Sequence, residues 1–551
     1  MGAVSRSMDG EHPTPGIRID NRQLPWTGRF VRDYCHAFER LAPFYAGSPT
    51  HPESWADALR ARSRRAPDSA MVAVIERQLA ARGAPDASRA AAARLRDAGT
   101  VAVVTGQQAG LFGGPLFTLL KAITAMRLAR RLAEEHGAAV VPVFWVDAED
   151  HDLDEISGCH VLNGELTRVA VTLDVDVPAG TSAAAVELDG SIRETLDALR
   201  AALPPTEFTA EVTGALAAAY APEMRLVEAF ARWLERQLGP HGLIVYDASD
   251  PAAKPLARSL FKREIGSAGR TAKLAAEAGA ELASRGYHAQ ASPAPGSVAL
   301  FRLDGTRQAI RAFDGAFSTG GHTLDTSTLL ADVEADPARF SPNVLLRPIF
   351  QDTLLPTVAY VAGPNELAYL GQLRRVYAAF DVPMPVIYPR ASATLVDAAT
   401  TRFLNRYGME FAELQPRDDA ALNRLLALQI PESIEQAIAG AERSAAEHLD
   451  AIAGAVPTLD PTLAGAVAST RGRMERELGN LRAKVVAAAK RRDSTLRRQF
   501  ERARAQSFPV GVPQERSIDG VYFLNRYGFA LIDRLLRDLP LDPGHHWLLT
   551  V

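Results

Sequence analysis

The feature that most restricts the fold is a pair of short, continuous apolar runs separated by one long amphipathic segment. The first run covers residues 101–104 and breaks at Thr105-Gly106. After a glycine-rich stretch, Pro115 opens an amphipathic segment that ends near residue 136, and a second apolar run covers residues 140–146. Such runs are typical of parallel strands buried on both faces, and Pro is favoured in the first turn of a helix. The pattern predicts a strand–loop–helix–strand unit of a doubly wound α/β sheet.

Later parts of the sequence extend this pattern and divide the chain. Apolar runs at 243–246, 357–362 and 385–388 predict further strands of the same parallel sheet, with helical stretches between them. Residues 158–190 alternate like short antiparallel strands, and residues 298–313 are typical of a hairpin. The predicted divisions are an N-terminal helical segment (1–99), an α/β core (100–408) with insertions near 158–190 and 265–340, a helical arm (409–505) and a C-terminal helix that returns to the core (506–551).

The segment 418–504 is nearly all helix-forming, and its apolar residues recur at intervals of three and four. Pro457 and Pro461 divide it into two runs. This pattern predicts an antiparallel helical hairpin of the coiled-coil type. Because a single antiparallel pair would not cover both apolar stripes, we predict a homodimer formed through the coiled-coil arm.

Composition excludes several classes of protein. Lys plus Arg is 61 and Asp plus Glu is 65, a net charge of −4, which argues against a chain that is basic throughout and coats nucleic acid. The two cysteines, Cys35 and Cys159, exclude a disulfide framework and a cysteine-rich metal site. No apolar run reaches the roughly 18 residues of a membrane span, and the first residues lack the apolar region of a secretory signal. We therefore expect a cytoplasmic protein with no membrane partner.

The stretch richest in chemical groups runs from Thr105 to Pro115 (TGQQAGLFGGP), at the carboxyl end of a predicted strand and the start of a helix. Open α/β sheets bind ligands at this edge. Its glycines let a ligand approach the backbone, the helix N-terminus offers N–H groups to an anion, and Gln107 and Gln108 offer uncharged donors and acceptors. Lys121 follows as a candidate anion ligand. The spacing matches neither a Walker A loop nor G-x-G-x-x-G, so we interpret it as a ligand site, against the alternative of a tight packing turn.

A second candidate follows the next predicted strand, in the acidic stretch 147–155 (DAEDHDLDE). Carboxylates around an imidazole favour its protonated form and can orient the ring for acid–base work. We therefore predict His151, held by Asp150 or Asp152, as the catalytic acid–base group. The alternative is a solvated acidic start of a helix, and no resident metal is predicted.

A third group of polar residues follows the later strands. Arg347 would clamp a carboxylate with two hydrogen bonds, and Asn365 and Glu366 lie at a predicted helix start after Gly-Pro. The alternative at that position is an ordinary Gly-Pro turn. The predicted substrate-binding set is Thr105, Gln107, Gln108, Lys121, Glu149, Arg347, Asn365, Glu366, Tyr369, Arg390 and Ser392.

Four of these segments together resemble one known family. They are TGQQAGLFGGPLFTLLKAITAMRLA, PVFWVDAEDHDLDEI, SPNVLLRPIFQDTLLPTVAYVAGPNELAYLGQL and PVIYPRASATLVD. They are similar to the BshC family, the cysteine ligases of bacillithiol biosynthesis. The N-terminal DYCHAFERLAPFY and the late PQERSIDGVYFLNRYG also fit, so the resemblance extends from about residue 25 to the end. Two positions depart from the family pattern: Asn365 stands where a small residue such as Gly is expected, and Asp519 stands where Asn is expected.

The resemblance implies an enzyme, a ligase that forms a carbon–nitrogen bond. It would join cysteine to the free amine of glucosaminyl-malate, giving bacillithiol in the last step of the pathway. It also implies a Rossmann-like, nucleotide-binding core with connecting-peptide insertions and a coiled-coil arm that dimerises. The core of the family resembles class I synthetases, but residues 105–115 lack a HIGH motif and Arg390-Ala391-Ser392 only occupies the place of KMSKS. ATP, with Mg²⁺ as its counter-ion, is the expected activator, and the manner of activation stays open.

Two other functions are compatible with parts of the sequence. Residues 471–504 hold twelve Lys or Arg and four Asp or Glu, which would suit a class I synthetase-like, adenylate-forming enzyme acting on tRNA or another amine. A solvated coiled-coil face is the commoner reason for such a bias, and no aromatic residues are interleaved for base stacking, so nucleic acid is not an expected partner. The second alternative is a non-catalytic coiled-coil binding protein. Polar groups at several successive strand ends favour a working site instead.

Overall fold

The computed structural model describes residues 16–63, 67–149, 152–174, 177–178, 180–304, 306–428, 431–492 and 494–551. Within these ranges the chain forms two compact units. The larger unit comprises the described residues up to Leu395 together with Gln514–Val551, and the smaller unit comprises Val396–Pro513. The arm predicted at 409–505 therefore lies inside a smaller unit that extends further in both directions.

A five-stranded parallel sheet with the order β13-β12-β2-β3-β6 forms the centre of the larger unit. This sheet confirms the predicted doubly wound, Rossmann-like class. The described strands are β1 (Gly16–Asp20), β2 (Val101–Gln108), β3 (Val140–Asp147), β4 (Gly158–Leu162), β5 (Arg168–Thr172), β6 (Ile244–Asp247), β7 (Ser297–Asp304), β8 (Thr306–Phe313), β9 (Ala316–Thr319), β10 (His322–Asp325), β11 (Phe340–Pro342), β12 (Thr357–Ala362), β13 (Val386–Pro389), β14 (Ser392–Val396) and β15 (His545–Thr550).

The central strand β2 is longer than its apolar run. It pairs with β3 along its whole length, from Val101 opposite Val140 to Gln108 opposite Asp147. The prediction that it breaks at Thr105-Gly106 was wrong, because strands on both sides keep this segment extended. Glycine is required inside the strand, since a Cβ at Gly106 would lie 2.7 Å from the backbone oxygen of Trp145. The extension carries Gln107 and Gln108 to the edge of the sheet.

Helices cover the parallel sheet. Helix α5 follows Pro115, packs on β2 and β3, and ends where Gly137 takes a left-handed conformation (φ 61°). The helices of the larger unit are α1 (Arg29–His36), α2 (Pro52–Arg62), α3 (Ser69–Arg82), α4 (Asp86–Ala93), α5 (Leu116–His136), α6 (Leu153–Ile156), α7 (Ser191–Ala202), α8 (Thr209–Ala219), α9 (Leu226–Leu238), α10 (Arg258–Gly266), α11 (Arg270–Ser284), α12 (Thr326–Ala335), α13 (Arg347–Leu354), α14 (Pro364–Leu370) and α15 (Arg374–Ala379), followed after the smaller unit by α21 (Gln514–Ser517), α22 (Gly520–Tyr527) and α23 (Ala530–Asp538).

Successive residues of β3 pack into different hydrophobic clusters. Val143 and Trp145 belong to the cluster that includes α3 and α4, whereas Phe144 and Val146 belong to the cluster that includes α5 and α9. The strand is therefore buried on both faces, which explains its unbroken apolar sequence. The first charged residue of this strand, Asp147, comes where the strand ends, at the edge of the sheet.

The two insertions form small antiparallel sheets. Strands β4 and β5 pair within the first insertion, and β10-β9-β8-β7-β11 form a five-stranded sheet around the second. A third sheet, β1-β15-β14, joins the two ends of the chain. The C-terminal segment, predicted within 506–551 as one helix, is divided, because Gly528 (φ 69°) separates α22 from α23.

The smaller unit contains a long helical hairpin. Helices α18 and α19 run antiparallel, since Asp450 pairs with Arg471 while Glu435 pairs with Arg482. No helix among the described residues is both long and apolar enough to cross a bilayer. The helices of this unit are α16 (Ala398–Tyr407), α17 (Ala420–Ala427), α18 (Glu432–Ala455), α19 (Ala464–Arg492) and α20 (Ser494–Ser507).

Candidate active site

A cavity of about 490 Å³ lies at the carboxyl ends of the parallel strands. This is the edge at which open α/β sheets bind ligands. The end of β2, the end of β3, β12 and the segments around α13 and α14 surround it, and the second insertion closes one side. Its lining residues are Gly106, Gln107, Gln108, Trp145, Asp147, Glu149, Ala248, Phe301, Arg307, Pro342, Asn343, Val344, Arg347, Phe350, Tyr360, Glu366 and Tyr369.

A buried ion pair lies behind the cavity wall. Nζ of Lys121, in α5, is 2.5 Å from Oε2 of Glu366, in α14, and also donates to the backbone oxygen of Gly106. The Lys121 side chain is 2% exposed. Burial lowers its pKa, while Glu366 opposes that change. Burial also acts against the Glu366 carboxylate, but the Lys121 cation and the hydrogen bonds from Lys121 and Gly363 hold its pKa below the ordinary value. Lys121 therefore supports the wall from behind and is not itself part of the lining.

Arg347 and Asp147 bring opposite charges to the same part of the cavity. Nε of Arg347 lies 3.5 Å from Oδ2 of Asp147, and Nη2 of Arg347 donates to the Tyr369 hydroxyl at 2.8 Å. The hydroxyl of Tyr360 donates to Oε1 of Glu366 at 2.7 Å. Burial raises the pKa of Tyr369 to about 12, so this hydroxyl keeps its hydrogen at neutral pH.

A second buried lysine pairs with Glu149, a further carboxylate of the cavity. Nζ of Lys254 lies 2.5 Å from Oε1 of Glu149, and the Ser341 hydroxyl donates to Oε2 of Glu149 at 2.8 Å. Lys254 itself is 1% exposed and lies 5.2 Å from the centre of the Phe350 ring. These contacts fix the Glu149 carboxylate at the end of β3.

The second insertion supplies a further guanidinium group. Arg307, in β8, lies over the Phe301 ring of β7, with 4.1 Å between its Cζ and the ring centre. Its Nη2 donates to the backbone oxygen of Pro342 at 3.1 Å. The cavity therefore contains two guanidinium groups and several carboxylates in one partly enclosed space.

Comparison with known proteins identifies this architecture. The model of the Bacillithiol biosynthesis BshC N-terminal Rossmann-like domain matches residues 17–391, and that of the C-terminal coiled-coil domain matches residues 393–551. The chain belongs to the BshC family. A Salinibacter ruber protein named "Putative cysteine ligase BshC" is 37% identical over 98% of this chain and 100% of its own length. Proteins of the same name from Koribacter versatilis and Geobacillus thermodenitrificans are 31% and 32% identical, covering 95% and 80% of this chain and 97% and 83% of their own lengths.

The cavity brings together more than half of the substrate-binding residues predicted for this BshC chain. Gln107, Gln108, Arg347, Glu366 and Tyr369 all line it, as does Glu149. Thr105 does not, since its buried hydroxyl donates to the backbone oxygen of Val361 at 2.9 Å. Asn365 is exposed on α14 and does not belong to the lining.

Arg390 and Ser392 lie in a different cluster. The Arg390 guanidinium is bound by both carboxylate oxygens of Glu515 at 2.7 and 2.9 Å, and both side chains are less than 10% exposed. The Ser392 hydroxyl contacts Glu515 and, at 2.8 Å, Nδ1 of His546. The structure therefore uses these two residues to hold the C-terminal segment on the larger unit.

The predicted acid–base group is only partly described by the structure. Asp150 and His151 lie outside the described residues. Asp152 is exposed and does not line the cavity. Among the described residues, no three His, Cys, Asp or Glu side chains are grouped so as to hold a metal ion.

The glycine-rich turn after β2 is a packing element. Leu111 and Phe112 are fully buried, and the first backbone N–H of α5, at Leu116, donates to the backbone oxygen of Ile518 at 2.9 Å. A Cβ at Gly113 would lie 2.8 Å from Nε1 of Trp233. The first N–H of this helix is therefore not available to an anion, because the backbone oxygen of Ile518 in the C-terminal segment already accepts its hydrogen bond. Only the part of the motif up to Gln108 reaches the cavity.

Several cavity residues escaped the sequence analysis. The strand-end rule that selected Glu149 applies equally to Asp147, which directly ends β3. Tyr360 points into the cavity from inside an apolar strand, so its sequence context gives no signal. Arg307 and Phe301 belong to the second insertion, and only the folded position of that sheet reveals their role.

Proposed function

We propose that this chain joins the carboxylate of cysteine to the free amine of glucosaminyl-malate in the cytoplasm, the last step of bacillithiol formation. Membership of the BshC family supports a cysteine ligase. The observation that carries the finer proposal is the pairing of guanidinium and carboxylate groups in one cavity at the carboxyl edge of the sheet. Both proposed substrates carry amine and carboxylate groups.

The charges of the cavity suit these substrates. Arg347 and Arg307 would bind carboxylates of cysteine or of the malate moiety. Asp147 would accept hydrogen bonds from an ammonium or amine group. Glu149 is already held by Lys254 and Ser341, so its carboxylate is fixed in position and its charge is balanced by Lys254.

Amide formation from a free carboxylate requires activation. We propose that ATP supplies it, with Mg²⁺ as counter-ion, leaving the cysteine carbonyl bonded to a phosphate or an adenylate oxygen. The amine of glucosaminyl-malate then attacks this carbonyl, and the bond to the phosphate or AMP leaving group breaks. The two guanidinium groups of the cavity would hold the phosphate charge. The capped start of α5 would not, because the backbone N–H of Leu116 is already bonded.

The attacking amine must lose a proton, and we propose His151 as the base that accepts it. A base acts mainly in the transition state. His151→Ala should therefore abolish ligation while leaving the binding of glucosaminyl-malate nearly unchanged. Rates and dissociation constants measured on the same preparation test this, and ligation by His151→Ala at the wild-type rate would remove His151 from the mechanism.

We also propose that the smaller unit pairs with a second copy of the chain. Within the helical hairpin Ile438 and Leu449 are buried, but other apolar residues of the stripes stay exposed. A partner helix pair would cover them. The exposed stripe residues are Ile434, Ile452, Met474 and Leu481, with exposures from 39% to 50%, and Leu459 and Leu463 in the connection between the helices are exposed as well.

The decisive experiment is reconstitution. The purified protein is incubated with glucosaminyl-malate, cysteine and ATP-Mg²⁺, and bacillithiol is measured by mass spectrometry. Parallel reactions omit ATP, omit cysteine, or use Arg347→Met. We expect product only in the complete reaction with wild-type protein. Absence of product from folded wild-type protein that also binds neither substrate would refute the proposed function.

A further inference from the structure

The hydrogen-bonding direction of one cavity amide is fixed by the lysine behind it. The Lys121 ammonium has three hydrogens and no acceptor. It has three acceptors within reach, namely the backbone oxygen of Gly106, Oε2 of Glu366 at 2.5 Å and Oε1 of Gln107 at 3.2 Å. The atom of Gln107 that faces Lys121 must therefore be the oxygen. The amide nitrogen is then the polar atom of Gln107 left for the cavity, and it donates to no other described residue.

The same argument applies to a tyrosine of the cavity. A guanidinium group has donors only, so the 2.8 Å contact between Nη2 of Arg347 and the Tyr369 hydroxyl has the hydroxyl oxygen as its acceptor. The hydroxyl hydrogen of Tyr369 points elsewhere, and no described residue accepts it. Because the hydroxyl keeps this hydrogen at neutral pH, it is a second donor available to a ligand.

We propose that Gln107 and Tyr369 recognise a carboxylate or carbonyl oxygen of the substrate through these two donors. Lys121 and Arg347 act as positioning residues for them, because each holds the acceptor atom of its neighbour and leaves the donor free. The identity of the substrate rests on the proposed function, whereas the direction of the two donors does not. An alternative in which Gln107 offers its oxygen to a ligand amine would leave a lysine N–H facing an amide N–H₂, which is unfavourable.

Two carboxylate sources fit this recognition: the carboxylate of cysteine and those of the malate moiety. Truncated ligands distinguish them. Cysteamine lacks the carboxylate of cysteine, and methyl glucosaminide lacks the malate. A donor that reads a given oxygen contributes to binding only when that oxygen is present.

The experiment measures the four dissociation constants by calorimetry for wild-type protein, Gln107→Glu and Tyr369→Phe. Each variant should weaken binding of the carboxylate-bearing member of one pair by about ten- to a hundredfold. Binding of the truncated member should change by less than about twofold. Gln436→Glu, the same chemical change on an exposed helix of the smaller unit, should change neither. Thermal unfolding of each variant establishes that it is folded.

The direction in which Gln107→Glu changes the affinity for the substrate distinguishes the two possible orientations of the amide. A gain in affinity would show that Gln107 reads a donor through its oxygen, and equal losses for full and truncated ligands would show a merely structural effect. Either result overturns the inference. The double variant Lys121→Met/Glu366→Gln, which leaves no unpaired buried charge, should show the selective loss even though Gln107 is intact. A loss that spreads equally to the truncated ligands would remove the positioning role of Lys121.

A readout without substrate separates this inference from the proposed function. In protein with ¹⁵N in its glutamine side chains, the Gln107 amide is assigned by its loss in Gln107→Glu. Its hydrogens should exchange freely with water in the wild-type protein, because no acceptor among the described residues holds them. Protected hydrogens would refute the orientation. Free exchange in a protein that binds neither substrate would retain the orientation and refute the proposed function alone.

Discussion

Replacing Asp519 by Asn should stabilise the larger unit at neutral and alkaline pH. Asp519 is 1% exposed at the point where the C-terminal segment meets the glycine-rich turn. Its backbone N–H donates to the oxygen of His160 at 2.8 Å, and the His160 backbone and the Cys159 side chain face its carboxyl oxygens. The Cys159 thiol and the Arg168 guanidinium lie beside it. Burial raises the pKa of the carboxyl group from 3.8 to about 7.

The magnitude follows from proton linkage. A carboxyl group whose folded pKa is raised contributes stability that is fully present below pH 3.8 and is lost as the pH rises through 7. The difference corresponds to about 4 kcal/mol above pH 7. Asn keeps the shape and never ionises, although burying its N–H₂ group costs about 1 kcal/mol. We therefore expect Asp519→Asn to raise the free energy of unfolding by about 3 kcal/mol at pH 8 and to lower it slightly at pH 4.

Urea unfolding followed by tryptophan fluorescence measures this directly. All five tryptophans belong to the larger unit, at positions 26, 55, 145, 233 and 547. The exposed Asp97 offers a matched control, because Asp97→Asn removes a charge without removing a buried one. If the effect of Asp519→Asn is the same at pH 4.5 and pH 8, the carboxyl group does not titrate between them and the reasoning is wrong.

Three further results are expected. The double variant Cys35→Ala/Cys159→Ala should keep full ligation activity. Burial raises the pKa of both thiols, that of Cys35 to about 12, so neither is a thiolate nucleophile at neutral pH. Loss of turnover in the folded double variant would contradict this. If the proposed dimer forms through the coiled-coil arm, deleting residues 431–504 should leave a monomer in sedimentation, and a surviving dimer would place the interface elsewhere. Burial lowers the pKa of His546 to about 4, so the folded state resists protonation of this ring and loses stability as the pH falls below 6.5. His546→Gln should reduce this loss by about 3 kcal/mol. An unchanged acid transition in urea would speak against it.

The parallel sheet was predictable because each strand is buried on both faces and therefore has an unbroken apolar sequence. Val101–Val104 and Val140–Val146 show this directly. The strand β1 was not predictable, since Gly16–Asp20 has no such run and becomes a strand only by pairing with β15 at the far end of the sequence. The sequence of the C-terminal segment likewise gave no sign of the break between α22 and α23, which depends on the backbone conformation of Gly528.

The candidate site likewise contains residues that the sequence predicts and residues that only the folded structure reveals. Residues at strand ends, such as Gln107 and Glu149, follow from topology because parallel strands end at one edge. Arg390 satisfies the same rule, yet its guanidinium is turned to Glu515, a partner 125 residues away in sequence. Arg307 reaches the cavity only through the position of the second insertion. Sequence reasoning can therefore locate the edge of the sheet, but the direction of each side chain depends on partners that are distant in sequence.

Two buried titratable groups of the C-terminal segment make the stability of the larger unit depend on pH in opposite directions. Residues 514–551 return to the larger unit and bury both Asp519 and His546, neither of which lies in an apolar pattern. Between about pH 4 and 6.5, unfolding releases a proton from Asp519 and takes one up at His546, so their contributions to the pH dependence have opposite signs. The two slopes offset each other in the wild-type protein. Asp519→Asn should expose a stability that rises with pH in this window, His546→Gln one that falls, and the double variant should again be nearly flat.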